Sequence, residues 1–378
     1  MPLNDISFIK GQGGLGRTLS NSDHKSGLIF YGGNIGDELV EKMIITSLAH
    51  AESLGVTEAN FPAEHYHIKE FFRMQPNSSL YVFFGDLPVG DFSEVADLQN
   101  YADGELRQIG VMVYAAFDED NIALLQAVAE TLETAHKPLS ILYAGDLTGV
   151  TLTNLPNLRA LECPNVSVVI GMDGDNDGKA LFDAGEIVTC LGATLGAVSL
   201  AAVNNNIGWV EKFNIALIEL DVPAFANGEL FKEVDENVLI QLNSRGYIFL
   251  RKHTGISGTY FNDSFTCDLE TSDYFSIENV RTIDKATRVV RAALLPKLNA
   301  DLETNNDGTL TLDVITSWEN LSDNALEKMK KSKEISGYKS TIDPAQNIGT
   351  SSKLKVNLML VVRGVARNVE VEIGYGTL

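Results

Sequence analysis

The sequence predicts an α/β fold: a mostly parallel α/β region, then a smaller α+β part, with extended β-arms at the two ends of the chain. Short apolar runs alternate with amphipathic segments from residue 27 to about residue 172. The chain becomes turn-rich after about residue 240. At both ends apolar and polar residues alternate, which is typical of a strand. The 378 residues are 44% hydrophobic, which is enough to bury a core, and the length predicts two or three domains.

Five apolar runs in the first part have the composition of strands. They are rich in β-branched and aromatic residues and lack polar alternation, so each is expected to be buried on both faces, as in a parallel sheet. The predicted strands cover residues 27–33, 80–86, 109–117, 139–147 and 165–172.

Two amphipathic segments between these strands predict helices over residues 37–55 and 118–136. In the second segment apolar residues recur at helical spacing, Asp118 stands where it can cap the start, and Pro138 follows the end. Helices between apolar strands are typical of a sheet covered on both faces.

A further segment, between Glu186 and Glu211, carries no charge for 24 residues. Its apolar part ends before three consecutive asparagines and consists mainly of small residues, with Gly192 and Gly196 at GxxxG spacing. A membrane span needs about 20 strongly apolar residues. The segment therefore predicts a buried helix whose small residues allow close packing.

The last part of the chain predicts helices over residues 284–303 and 324–335 and strands over residues 353–364 and 366–376. In the final strand apolar residues alternate with polar ones, and two N-terminal residues repeat this pattern before a Gly/Ser/Asn-rich stretch. Such end strands can pair with a neighbouring subunit or within their own domain, and the pattern alone supports both. The alternating residues are Ile6, Phe8, Val369, Val371, Ile373 and Tyr375.

Charge is divided unevenly along the chain. The total is −22, but residues 1–280 hold 15 Lys and Arg against 39 Asp and Glu, a net charge of −24, whereas residues 281–378 carry +2. This balance argues against nucleic acid as a partner, since phosphates need a basic surface. The N-terminus has no basic region before an apolar run, so no secretory signal is predicted and the chain is expected to stay in the cytoplasm.

Metal and disulfide chemistry is not predicted. Three widely spaced cysteines, with no CxxC, are expected to be buried small hydrophobes: Cys163, Cys190 and Cys267. The run Asp173 to Gly178 copies the start of a calcium loop, but Ala184 occupies the position of the bidentate glutamate, which favours an Asx-rich turn that caps a helix starting near Lys179. His65 and His67 alternate in an expected extended segment without a third ligand.

A glycine loop at residues 11–16 matches GxGxxG after a short strand. The following residues 17–24 are polar and lack a helical stripe, whereas pyrophosphate binding needs a helix N-terminus. Because the motif matches but the helix after it is not predicted, a soluble α/β nucleotide-binding enzyme that uses this loop is only the alternative function. No common catalytic motif is present.

Several segments, in order, resemble contractile tail sheath proteins. The small-residue helix and the Trp209 turn within residues 192–214 resemble one sheath segment. Residues 274–286 resemble the signature that leads into the long sheath helix, and residues 333–338 resemble the segment before the closing strands. The resemblance covers roughly residues 187–378, although the Trp-Gly-x-Arg-Thr element of larger sheath proteins is not evident near Gly258.

The resemblance implies a structural subunit, not an enzyme, that needs no cofactor. Copies would stack as rings in a helical homo-oligomer around an inner tube, linked by exchanged terminal strands, and would contract to drive the tube through a target envelope. Baseplate and tail terminator proteins are the other implied partners, with no direct membrane insertion. The particle would assemble in the bacterial cytoplasm and be a virion tail or a phage-like injection particle.

The resemblance also implies a division of the chain into four parts. These are an N-terminal arm at residues 1–26, an outer α/β domain at 27–240, an inner tube-facing domain at 241–365 and a C-terminal arm at 366–378. Four basic residues of the predicted helix 324–335 are then candidate contacts with an acidic tube: Lys328, Lys330, Lys331 and Lys333.

Overall fold

A computed structural model describes residues 23–32, 40–87, 90–216 and 219–375. Over these residues the strands are β1 (Ser26–Tyr31), β2 (Lys42–Ile45), β3 (Leu80–Gly85), β4 (Gln108–Ala116), β5 (Ser140–Asp146), β6 (Val166–Val169), β7 (Gly171–Asp173), β8 (Pro223–Phe225), β9 (Tyr247–Ile248), β10 (Leu250–His253), β11 (Ile256–Phe261), β12 (Ile335–Thr341) and β13 (Asn357–Val362).

Ten α-helices are assigned over the same residues: α1 (Leu48–Ser53), α2 (Pro62–Met74), α3 (Ser93–Tyr101), α4 (Asp120–Thr134), α5 (Asp177–Asp183), α6 (Leu191–Leu200), α7 (Glu236–Ser244), α8 (Ile277–Leu294), α9 (Leu312–Lys331) and α10 (Ile348–Ser351). We call the region from β1 to β11 the body, and the region from α8 to residue 375 the C-terminal part.

The body is built on a seven-stranded sheet in the order β2-β3-β1-β4-β5-β6-β9. All neighbouring strands are parallel except β2, which runs antiparallel to β3 at one edge. The α/β class and the five predicted strands are thus confirmed, with the run 165–172 divided between β6 and β7. The sheet reaches β9, beyond residue 240.

Both faces of the sheet are buried because the inner strands carry apolar residues at consecutive positions. On β1, Leu28 and Phe30 point to one core, while Ile29 and Tyr31 point to the other. Helices α1, α2 and α6 cover the first face, and α3, α4 and α7 cover the second. Continuous apolar strands are typical of parallel sheets for this reason.

The uncharged segment forms α6, which is buried as predicted. A Cβ placed on Gly192 would lie 2.1 Å from the His67 carbonyl oxygen, and one on Gly196 would lie 2.8 Å from the Phe71 carbonyl oxygen. Glycine at both positions therefore lets α6 pack directly on the backbone of α2. Among the described residues, no helix is long and apolar enough to cross a membrane.

The C-terminal part has much smaller cores. Helices α8 and α9 pack against the antiparallel hairpin of β12 and β13, and five buried residues form the larger of two clusters: Ala286, Val290, Leu326, Met329 and Ile335. The other cluster has three buried residues, Leu310, Ile315 and Ile342.

Several predicted boundaries are wrong. The expected helix 37–55 contains β2, whose β-branched residues pair with β3, and α1 begins only after Ser47, whose hydroxyl accepts a hydrogen bond from the His50 amide at 3.1 Å. The helix expected at 284–303 is α8, which ends at Leu294 before Pro296. The helix expected at 324–335 is the end of the longer α9.

Candidate subunit interface

The C-terminal segment that follows β13 forms no strand within the described chain, although alternation predicted one over residues 366–376. Its apolar side chains lie in solvent: Val369, Val371 and Ile373 are 78%, 70% and 87% exposed, and Tyr375 is also exposed. Of the two alternatives for this predicted strand, pairing within its own chain is therefore wrong. An exposed apolar segment of this kind is typical of a protein interaction site.

The hairpin beside this segment is also exposed. Strand β13 pairs only with β12 among the described residues, so its outer edge has no partner strand there. Met359 and Val361, on its outward face, are 67% and 52% exposed, while Leu360 packs toward α8 and α9. An unpaired apolar edge accepts an added strand readily, and a two-stranded hairpin gains stability from a third strand.

The start of the C-terminal segment is held by a group that we call the C-terminal clasp: Arg367, Asp263 and Glu278. The Arg367 guanidinium donates to Asp263 Oδ2 at 2.8 Å and to Glu278 Oε1 at 2.6 Å. Both carboxylates are buried, and the guanidinium lies 4.6 Å from the centre of the Phe275 ring. Burial alone would lower the pKa of Arg367, but the charges and hydrogen bonds of the two carboxylates raise it.

The first described residues are held in a similar way by the N-terminal clasp, which consists of Asp23, Lys285 and Arg288. The Asp23 carboxylate lies 2.6 Å from Lys285 Nζ and accepts a hydrogen bond from Arg288 at 2.8 Å. The Asp23 carbonyl oxygen accepts a further hydrogen bond from Arg281 at 3.2 Å. Burial alone would raise the pKa of Asp23, but Lys285 and the neighbouring arginines lower it.

Neither clasp was predicted from the sequence. Arg367 pairs with residues 104 and 89 positions earlier, so no local spacing marks it. The only available signal was Glu278, Lys285 and Arg288 at helical spacing on the long amphipathic helix, and the predicted boundary at 284 excluded Glu278 from it.

A groove of about 770 Å³ adjoins the C-terminal clasp, between residues 202–212 of the body and residues 363–367. Its wall carries Trp209, with Lys212 Nζ 4.0 Å from the ring centre, and the basic side chains of Arg251, Lys333 and Arg363. The acidic side chain that lines it, Asp263, is already paired with Arg367.

The four lysines that are predicted to contact the tube are all exposed. Lys328, Lys330 and Lys331 lie in the last turn of α9, and Lys333 follows it. Lys331 Nζ lies 3.6 Å from Glu327, and Lys330 Nζ lies 5.6 Å from the centre of the Tyr338 ring. They form a basic end of α9, and a tube-facing role stays a prediction.

The remaining motif residues lie elsewhere. The glycine loop 11–16, Ile6 and Phe8 are outside the described residues. Asp173 is buried and accepts a hydrogen bond from the Asp175 amide at 3.3 Å, so the predicted Asx turn is present; burial raises the pKa of Asp173 to about 6, and α5 begins nearby at Asp177.

The two histidines considered as ligands lie on α2, not on an extended segment. His65 Nε2 is 3.0 Å from Glu52, and His67 is fully buried against α6. No three His, Cys, Asp or Glu side chains group closely enough to hold a metal ion in the described part of the chain. The three cysteines are free and buried, as expected.

Comparison with solved structures gives matches along the whole chain. The chain is similar to the anti-feeding prophage helical sheath in its contracted state, at 16% identity and a TM-score of 0.64, with 99% of each chain covered. It is similar to the sheath complex of an extracellular contractile injection system, PVC, also contracted, at 15% identity and a TM-score of 0.63, covering 99% of this chain and 98% of that one.

A chain of the six-fold symmetrised anti-feeding prophage baseplate also matches, at 13% identity and a TM-score of 0.64, with 100% of this chain and 99% of that chain covered. No curated protein matches the sequence. The family model described as DUF2586, N-terminal domain, matches residues 3–265, and the DUF2586, C-terminal domain, matches residues 273–377. The chain therefore has the fold of contractile sheath proteins and belongs to the DUF2586 family.

Proposed function

We propose that this chain is the structural subunit of a contractile sheath. Many copies polymerise as stacked rings around an inner tube and contract together to drive the tube through a target envelope. The exposed apolar segment at residues 369–375 carries the proposal. It follows directly after Arg367, which is held by the C-terminal clasp, and it has no partner within the described chain. The fold shared with sheath structures over the full length supports the same role.

The segment acts as an exchanged strand in this proposal. Val369, Val371, Ile373 and Tyr375 of one copy add to the open edge of β13 in a neighbouring copy, and Ile6 and Phe8 form a second exchanged strand. Each backbone hydrogen bond contributes only about 0.5 to 1.5 kcal/mol net. Several such bonds in every subunit still make a mesh that keeps neighbours connected while other contacts rearrange.

Contraction then needs no nucleotide and no active site. The extended sheath is metastable behind a barrier, and contraction replaces a smaller set of subunit contacts with a larger one. Thermal-shift titration with ATP or NAD is expected to leave the melting temperature unchanged, because a ligand of the native state alone would raise it. A rise would favour the nucleotide-binding alternative at residues 11–16.

The arrangement around the tube follows the charge division. The acidic outer domain faces solvent, and the near-neutral C-terminal part faces an acidic tube through Lys328, Lys330, Lys331 and Lys333. We place the junction between the outer and inner domains at residues 266–272 instead of after residue 240. Two observations support this position: the sheet continues to β9, and these residues separate the two family models. Replacing all four lysines by glutamine should weaken co-sedimentation with the isolated tube but leave sheath assembly intact.

Baseplate and tail terminator proteins bound the sheath at its two ends in this proposal. The particle, a virion tail or a phage-like injection particle, assembles in the bacterial cytoplasm. The chain makes no contact with nucleic acid, in keeping with its charge of −22.

Negative-stain microscopy of the purified chain tests the proposal. We expect tubes or stacked rings from the intact chain and folded monomers from a chain that lacks residues 366–378. A chain of unchanged length, with residues 368–375 replaced by a Gly/Ser sequence, separates loss of the strand from loss of length. Intact protein that stays monomeric over a wide concentration range would contradict a sheath role.

A further inference from the structure

Both clasps use residues of one helix, α8, and Asp263 of the C-terminal clasp lies outside it. Glu278, in the first turn of α8, holds Arg367, while Lys285 and Arg288, further along the same helix, hold Asp23. Glu278 and Lys285 are seven positions apart, which is about 10 Å along a helix axis. The roots of the two chain ends are therefore separated by about two turns of a single rigid element.

We propose that α8 is the common anchor of both arms, and that the two clasps hold the arm roots in place while subunits rearrange. This inference rests on the proposed sheath function. Arg367 and Asp23 are then positioning residues: they set where each arm leaves the subunit and do not themselves form the exchanged strands.

The change from held to free chain is abrupt, which supports this role. The Arg367 side chain is 25% exposed and pairs with two carboxylates that are 9% and 3% exposed, yet Val369, two residues later, is 78% exposed. A clasp placed there transfers a pull on the arm to α8. From α8 the load passes to the body through Ile277 and to α9 through Ala286 and Val290.

The chemistry of the C-terminal clasp is better suited to fixing the position of Arg367 than to stabilising the fold. Buried ion pairs are often no more stabilising than apolar residues of the same volume, because desolvation offsets their attraction. A planar guanidinium, however, bonds two carboxylates in fixed directions, which a lysine ammonium cannot do. Ser264 and Asn206 also donate to Glu278, so that this carboxylate is itself held in one orientation.

Spin-label distances in the free subunit test the clasp. Labels on Val369→Cys in the arm and Leu124→Cys on α4 occupy exposed sites, and the three native cysteines are buried. With the root held at Arg367, two flexible residues give a spread of about 8 Å; with the root released to the end of β13, seven residues give about 15 Å. Arg367→Met should therefore roughly double the width, and Arg367→Lys should widen it less.

The matched control is Arg363→Met. Arg363 is exposed and donates to the Lys333 carbonyl oxygen at 2.9 Å, outside the clasp. It should leave the width unchanged. If the Arg367→Met chain does not fold, the double variant Asp263→Asn, Glu278→Gln, which keeps the side-chain shapes but removes both charges that hold Arg367, should still widen the distribution. An unchanged width in folded Arg367→Met protein or in the folded double variant overturns the inference.

Helical order in assembled tubes tests the common anchor. Arg367→Met and Asp23→Asn should each give tubes with variable subunit spacing, whereas Arg363→Met tubes should diffract like the unmodified ones. Regular tubes from either clasp variant would refute the anchor but leave the sheath function standing. If Arg367→Met doubles the label width but the unmodified chain never assembles, the C-terminal clasp is confirmed. The role of the anchor in assembly is then refuted and the sheath function is rejected.

Discussion

The body and the C-terminal part place their apolar side chains in opposite ways. The body buries them in two large cores on the two faces of one sheet, whereas the C-terminal part has two small clusters and leaves apolar residues of β13 and of segment 369–375 in solvent. A chain that can build a complete core in one region has no folding reason to leave another region so open. The difference fits the proposed function, in which the body folds for itself and the C-terminal part is completed by other copies.

The largest expected effect is a loss of stability in the body. Gly192→Ala places a Cβ 2.1 Å from the His67 carbonyl oxygen, which is backbone and cannot rotate away. Forcing α6 from α2 should lower the free energy of unfolding by about 3 kcal/mol or more. Chemical denaturation followed by circular dichroism measures it. Gly90→Ala, with open space around its Cβ position, is the matched control, and equal stability of the two variants would contradict the close packing of α6.

A core truncation in the C-terminal part should act locally. Leu326 is fully buried in the cluster between α8, α9 and β12. Leu326→Ala should cost about 2 to 5 kcal/mol there, and hydrogen exchange should accelerate in α9 and the hairpin but not in β4 or β5. Equal acceleration throughout the sheet would show that the two regions unfold as one unit.

Acid should destabilise the body through His67. Burial lowers the pKa of His67 to about 3, so between pH 6.5 and 3 the unfolded chain binds a proton that the folded chain does not. The contribution of His67 is therefore fully present above pH 6.5 and falls as the pH drops, by up to about 1.4 kcal/mol per pH unit.

His67→Asn tests that slope, since its Oδ1 can take the place of Nδ1, which accepts from the Gly192 amide at 3.4 Å. Denaturation midpoints at pH 7, 6, 5 and 4 should fall less steeply in this variant than in the unmodified chain. His136→Asn is the matched exchange on the surface. Parallel pH profiles of the His67 variant and the unmodified chain would contradict the prediction.

The smallest effect on stability is expected at the hairpin surface. Met359→Lys alters an exposed side chain, so the free energy of unfolding should change by less than about 0.5 kcal/mol. Assembly into tubes should nevertheless fail, because a charge then lies where the added strand packs. Leu124→Lys, an exposed position of the body, should leave assembly intact, and assembly by Met359→Lys would remove the hairpin from the interface.

Sequence patterns predicted the body better than the interface, for physical reasons. The inner strands are continuous apolar runs, so period and composition agree, and the small residues of α6 report its close packing. The pattern failed over residues 37–55, where a short β-branched strand is embedded in residues with helical spacing. The clasps were missed because they join residues that are 89 to 265 positions apart, which only the folded chain brings together.

Cross-linking between copies tests the central claim most directly. One chain carries Val371→Cys in its arm, a second carries Met359→Cys on β13, and the two are mixed, assembled and treated with a bifunctional maleimide. The native cysteines are buried and should not react. We predict a dimer that contains one chain of each kind. Cross-linking only within a chain that carries both substitutions, with none between copies, would contradict the exchange of C-terminal strands.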